Sequence, residues 1–185
     1  MIWRRFRPIT QDRNIRDLYG AIVAQARCPV FYRDYGVPDT IDGRFDLIVL
    51  HLVLLIDRLG GREGSGRDIG QRLFDVFCRD LDANLREMGV GDLAVPKRMR
   101  RFGEAFYGRQ AAYLAAFAAP DRRELEIALA RNIFQGENAG PEAERLARYV
   151  RAARDRFEAQ EDSALLRGEV IFPQPDSSVE SVAQI

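Results

Sequence analysis

RFDLIVLHLVLLIDRL, residues 44–59, is a segment that is apolar on almost every side. At helical spacing it has two opposite apolar faces, Phe45, Val49, Leu52 and Ile56 on one and Leu47, Leu50 and Leu54 on the other. A helix with two apolar faces is buried at the centre of a domain. The run also contains Asp46, His51 and Asp57, so it is too short and too interrupted to span a bilayer. We therefore predict a central, buried helix.

Helical periodicity recurs on both sides of this segment. We predict further helices over about residues 12–25, 67–88, 96–118, 121–134 and 141–166, and no strand or internal repeat. The two prolines and two glycines of residues 28–43 predict an ordered loop after the first helix. The predicted fold is all-α, a compact bundle of about six helices.

The 185 residues are enough for one domain with a core of its own. We divide them into a basic and aromatic N-terminal segment (1–11), a helical domain (12–167) and a flexible, mobile C-terminal tail (168–185). The tail is assigned on its proline, serine and acidic residues.

Composition excludes several classes of function. With 28 basic and 28 acidic residues the net charge is zero, which argues against a dedicated DNA-binding protein. One histidine and two cysteines give no metal-ligand spacing, and there is no nucleophile elbow, dinucleotide fingerprint or phosphate loop. We expect no metal, no cofactor and no catalytic residues. Without a signal peptide, we expect a cytoplasmic protein, or one bound at the inner face of the cytoplasmic membrane.

Three polar residues fall within apolar stripes of the predicted helices. His51 lies on the central helix, and Asp80 and Asn84 lie inside the stripe of the next one. Burying such groups unpaired would cost roughly 1–3 kcal/mol each, so each needs a partner. We interpret the three as buried structural residues, with a His51–Asp80 pair as one hypothesis.

A basic cluster marks the fourth long helix: Lys97, Arg98, Arg100, Arg101 and Arg109, with Tyr107 among them. Such a cluster is either a solvated helix face or a platform for RNA phosphates or anionic lipid. Gly103 and Gly108 interrupt the same helix. Each costs about 1 kcal/mol relative to alanine, which favours a closely packed neighbour or partner.

The N-terminus, MIWRRFRP, alternates aromatic and basic residues. Trp3 and Phe6 with Arg4 and Arg5 suit shallow contact with a membrane surface, because tryptophan prefers the interface and arginine binds anionic headgroups. The alternative is a start without defined structure. The segment is too short to anchor the protein by itself.

The sequence from residue 80 to residue 113, DLDANLREMGVGDLAVPKRMRRFGEAFYGRQAAY, resembles the signature region of the ubiquinol–cytochrome c chaperone family. The leucine-rich segment with its histidine and the loop PVFYRDYGVPDT, residues 29–40, are similar to the same family. Together these regions extend over about residues 28–165.

The resemblance implies a helical, non-enzymatic assembly chaperone that binds newly synthesised cytochrome b and promotes biogenesis of the ubiquinol–cytochrome c reductase complex. Mitochondrial members of that family also work near the ribosomal exit tunnel with a small partner protein, so the ribosome is a further candidate partner. The absence of a long targeting extension fits an alphaproteobacterial member. Combining the resemblance with the charge pattern, we expect contacts to the client or a partner at Asp92, Lys97, Arg100, Arg101, Glu104, Tyr107 and Arg109. The alternative is an adaptor that binds RNA, the ribosome or the membrane surface and has no cytochrome b client.

Overall fold

The computed structural model describes residues 9–60, 65–136 and 138–176, and every regular element in those ranges is a helix. The helices are α1 (Ile9–Ala26), α2 (Pro29–Arg33), α3 (Ile41–Gly60), α4 (Ser65–Glu87), α5 (Val95–Ala118), α6 (Arg123–Ile133), α7 (Pro141–Glu158) and α8 (Asp162–Leu166). Six are long, so the prediction of an all-α bundle of about six helices is confirmed. The two five-residue helices α2 and α8 are additions to it.

Helix α3 is the centre of the bundle, as predicted, and contacts α1, α4, α5, α6 and α7. It begins with a side-chain cap, since the Gly43 N–H donates to the Thr40 hydroxyl at 3.1 Å. Gly43 admits no side chain, because a Cβ there would lie 2.0 Å from the carbonyl oxygen of Pro38. The cap moves the start of the helix three residues ahead of the predicted one.

The segment between α1 and α3 is ordered, but it is not only a loop. Pro29 opens α2, where its fixed φ suits a first helical position. The short helix buries Phe31 completely, and Tyr35 and Val37 after it are also buried. The Phe31 ring meets the edge of Tyr149 at a centroid distance of 4.8 Å. The segment therefore closes one side of the core.

The predicted last helix, 141–166, is divided into α7 and α8, and Arg58 of α3 fills the break. The Arg58 side chain is only 3% exposed, and its guanidinium donates to the carbonyl oxygens of Phe157 at 2.8 Å and Gln160 at 2.9 Å. It also forms a 2.7 Å ion pair with Asp162. Arg58 thus satisfies carbonyls at the end of α7 and fixes the start of α8.

The prediction of a flexible tail is corrected for residues 168–176. Phe172 is buried and packs edge-on against Phe157, with 5.0 Å between ring centroids. The Asp176 N–H donates to the Tyr35 hydroxyl at 3.0 Å. The buried Phe172 and hydrogen bonds to the backbone of Ile171, Pro173 and Asp176 hold this polar segment against the bundle. Residues 177–185 of the predicted tail lie outside the described residues.

Candidate functional site

Most of the predicted contact residues lie on the outward side of α5. Lys97, Arg100, Arg101 and Glu104 are exposed, and Arg100 pairs with Glu104 at 2.9 Å. The two residues are one helical turn apart and both are exposed to solvent, so their ion pair adds little to stability. The charged face remains available to a partner.

Tyr107 lies on the flank of α5 and keeps 57% of its surface exposed. Its ring packs against Phe74 of α4 and Phe106, at centroid distances of 5.5 Å and 5.4 Å. Ile56 and Gly70 line the shallow groove beside it. Tyr107 is therefore an aromatic contact that is fixed on one side and open on the other.

Asp92 lies in the turn between α4 and α5 rather than on the face of α5. Its carboxylate accepts from Arg86 at 2.6 Å, and Arg86 also pairs with Asp82 at 2.7 Å. The side chain of Asp92 is 88% exposed. Asp92 is thus a neighbour of the α5 surface, and it shares the charge of Arg86 with Asp82.

The prediction for Arg109 as a surface contact is corrected. Arg109 turns toward the core and pairs with the buried Asp46 of α3 at 2.7 Å, with its guanidinium over the Phe45 ring. Burial raises the pKa of Asp46 to about 6, although the Arg109 charge opposes the shift. A buried carboxylate needs a cation, and this need holds Arg109 inside.

His51 is fully buried, as predicted, and belongs to a chain of hydrogen bonds. A carbonyl can only accept, so Nδ1–H donates to the Leu47 carbonyl at 2.7 Å. Nε2 then accepts from the Tyr149 hydroxyl at 2.9 Å, and that hydroxyl accepts from Gln25 Nε2 at 2.9 Å. Gln25 also donates to the Pro173 carbonyl at 3.1 Å. Burial lowers the pKa of His51 to about 4, which keeps the ring neutral.

The hypothesis of a His51–Asp80 pair is wrong. Asp80 is half-buried between α1 and α4, where it accepts from the Tyr19 hydroxyl at 2.8 Å. Burial, with the Asp80 hydrogen bond, raises the pKa of Tyr19. The prediction that Asn84 is buried is also wrong. Asn84 is exposed and its amide donates to the Asp80 carbonyl at 2.7 Å, because the end of α4 extends beyond the core.

Four residues that matter were missed by the sequence reading: Gln25, Tyr149, Arg58 and Phe172. Tyr149 stands among the apolar positions of the predicted last helix, which indicates a buried ring but names no partner for its hydroxyl. Its hydroxyl donates to His51, which is 98 residues away in the sequence, and Arg58 donates to the Phe157 carbonyl, which is 99 residues away. The one available signal was that a buried histidine and a buried arginine need partners.

Two further findings concern the described residues as a whole. None of their helices is both long and apolar enough to cross a membrane. No three of their histidine, cysteine, aspartate or glutamate side chains converge as metal ligands would. The predicted membrane-surface residues, Trp3, Arg4, Arg5 and Phe6, lie outside these residues.

Comparisons with known proteins agree with this architecture. A solved structure, the crystal structure of the Cbp3 homolog from Brucella abortus, matches with a TM-score of 0.80 and 38% identity over 89% of this chain and 91% of that one. The ubiquinol-cytochrome c reductase complex assembly factor 1 of Drosophila melanogaster is 28% identical over 142 residues, which are 72% of this chain. The chain spans about half (54%) of the length of that curated relative.

The family model described as ubiquinol-cytochrome C chaperone matches residues 33–172. The match includes the central helix α3, the complete α4–α5 signature and the segment that carries Phe172. It therefore takes in both the structural core and the exposed surface of α5. The chain belongs to the ubiquinol–cytochrome c chaperone family.

Proposed function

We propose that this protein is a non-catalytic assembly chaperone that binds newly synthesised cytochrome b and promotes formation of the ubiquinol–cytochrome c reductase complex. Family membership supports the proposal, as does the name of the fly relative, an assembly factor of that complex. The observation that carries it is the outward surface of α5. This surface offers charged and apolar contacts side by side.

The exposed side of α5 changes character along its length. Its first half presents Lys97, Arg101 and Glu104, and its second half presents small or apolar residues, Gly108, Ala111, Leu114 and Ala115. A membrane-embedded client has apolar helices joined by polar loops. We propose that an apolar segment of cytochrome b lies along the second half, as helices do in grooves, while an adjoining loop meets the charged half.

The glycines of α5 support a close approach by a partner. At Gly103 and Gly108 an added Cβ would meet no atom within 4 Å. Packing within the described residues therefore does not explain them, although each costs about 1 kcal/mol relative to alanine in a helix interior. Gly108, which lies on the exposed side of α5, would let another backbone come near, as small residues do in closely packed membrane helices.

The test is a strain that lacks the gene, complemented with variants of the α5 surface. Deletion should lower cytochrome b and the assembled reductase complex while the cytochrome b transcript is unchanged. Wild type should restore both, and Arg100→Glu with Arg101→Glu should not. The control, Arg148→Glu with Arg156→Glu, reverses two exposed charges on α7 and should restore assembly. Normal assembly in the deletion strain would contradict the proposal.

A second function is favoured by a separate observation. Lys97, Arg98 and Arg101 are exposed and form no ion pair with any described residue. Free cations on one surface suit an adaptor that binds RNA, the ribosome near its exit tunnel, or the inner surface of the cytoplasmic membrane. An RNA adaptor predicts salt-sensitive RNA binding, together with normal cytochrome b levels when the gene is lost.

A further inference from the structure

The turn between α4 and α5, residues 88–94, exposes two large apolar side chains. Leu93 is 98% exposed and Met88 is 61% exposed. Single exposed apolar residues are common on proteins and need no explanation. Here two of them share one short turn at the end of a helical hairpin.

The backbone of this turn is fixed, so the exposure is built into the fold. Gly89, with φ of +78°, ends α4. Its N–H donates to Arg86 and the Val90 N–H donates to Leu85, at 2.9 Å and 3.0 Å, which is a Schellman motif. Leu85 before the turn and Val95 after it are buried. With both ends anchored, Leu93 is held away from the core.

Unpaired cations lie beside the apolar tip, along the start of α5. Lys97, Arg98 and Arg101 follow within about two helical turns of Leu93, and none forms an ion pair with a described residue. Arg86 is shared between two carboxylates, Asp82 and Asp92, and Glu87 is a further exposed acid beside the turn. Against these three acids stand Arg86 and the three unpaired cations, so the tip keeps a net positive charge of one.

We propose that this α4–α5 tip docks on an anionic lipid bilayer. Leu93 and Met88 enter the boundary between headgroups and acyl chains, and Lys97, Arg98 and Arg101 contact lipid phosphates. Exposed apolar side chains next to unpaired basic ones are the combination that surface-bound membrane proteins use. RNA would use the cations alone and would leave Leu93 in water. The proposal does not depend on cytochrome b as the client.

The experiment is flotation of the full chain with vesicles of phosphatidylcholine and phosphatidylglycerol, compared with phosphatidylcholine alone. Wild type should float with the anionic vesicles. Leu93→Ser should weaken binding about tenfold, as loss of one buried leucine predicts. Lys97→Glu with Arg101→Glu should weaken it more than tenfold. The control Ile41→Ser removes another exposed apolar side chain, 68% exposed and on α3, and should bind as wild type does.

The outcomes separate the alternatives. Weaker binding of Leu93→Ser with full binding of Ile41→Ser would establish insertion at the tip. Equal binding of wild type and Leu93→Ser would overturn the proposal, because contact would then be through charge alone or through the N-terminal segment. Binding to RNA but not to vesicles would also overturn it. A Leu93→Trp variant in a Trp3→Phe background adds a direct reading, since position 93 then carries the only tryptophan and quenching by brominated lipid requires it to lie in the bilayer.

Discussion

Replacing Tyr149 with phenylalanine removes one oxygen atom from the core and leaves the ring in place. The hydroxyl is the only partner of His51 Nε2 among the described residues, and it also accepts from Gln25. The ring contacts with Phe31 and Tyr35 do not need it. The substitution therefore isolates the hydrogen bonds from the packing.

The magnitude follows from what is left unpaired. His51 is 0% exposed, so no water replaces the lost donor at Nε2. An unsatisfied buried group costs about 1–3 kcal/mol, and Gln25 keeps its second acceptor, the Pro173 carbonyl. We expect a loss of about 2 kcal/mol in the free energy of unfolding. For a chain of this length that loss lowers the Tm by about 4–8 °C.

Urea titration and thermal melts would measure the loss. The matched control is Tyr107→Phe, whose hydroxyl belongs to an exposed side chain and should change stability by less than about 0.5 kcal/mol. Adding His51→Leu to Tyr149→Phe removes both partners, so the double variant should lose less than the sum of the single losses. Equal stability of Tyr149→Phe and Tyr107→Phe, or strict additivity, would refute the reasoning.

Three further predictions concern stability. The folded pKa of His51 lies near 4, below the unfolded value of 6.5, so the unfolded chain binds more protons and about 2 kcal/mol of stability is lost between pH 7 and pH 5. Asp46 acts with the opposite sign, because its raised pKa means that the folded state gains stability as the pH falls through 6. Denaturant titrations of wild type, His51→Gln and Asp46→Asn at both pH values separate the contributions of the two residues to the pH dependence of stability. Arg58→Met should cost about 3 kcal/mol in urea titrations because three acceptors lose a buried donor, and a loss below about 1 kcal/mol would count against that account. Gly103→Ala and Gly108→Ala should each stabilise the chain by about 0.5–1 kcal/mol, since a Cβ meets nothing there; destabilisation in melts of the free protein would reveal a neighbour that the structure lacks.

The sequence was sufficient for the helices because periodicity is a local property. The two apolar faces of residues 44–59 required a central helix, and α3 is central. The ends of a helix cannot be predicted from periodicity where a single long-range contact determines them. Arg58 of α3 donates to the Phe157 carbonyl near the end of α7. The spacing of residues 141–166 does not show that this arginine lies there, so it does not predict where α7 ends.

Side-chain partners were the part that sequence could not supply. A buried His51 was predicted, but its partner could be any polar group with access to the core, and Tyr149 is 98 residues away. The apolar positions of α5 indicate which of its faces is buried, and Lys97, Arg101 and Glu104 lie on the exposed face. Arg109 was not separable from its basic neighbours, since only the position of Asp46 on another helix turns it inward.

Site-specific photocrosslinking from α5 during synthesis of cytochrome b tests the central claim most directly. A photoreactive amino acid would replace Tyr107 and, in a matched control, Arg148 on the exposed side of α7. The account predicts a covalent adduct with newly made cytochrome b from position 107 and none from position 148. Adducts of equal yield from both positions, or adducts from position 107 that contain only ribosomal components, would contradict it.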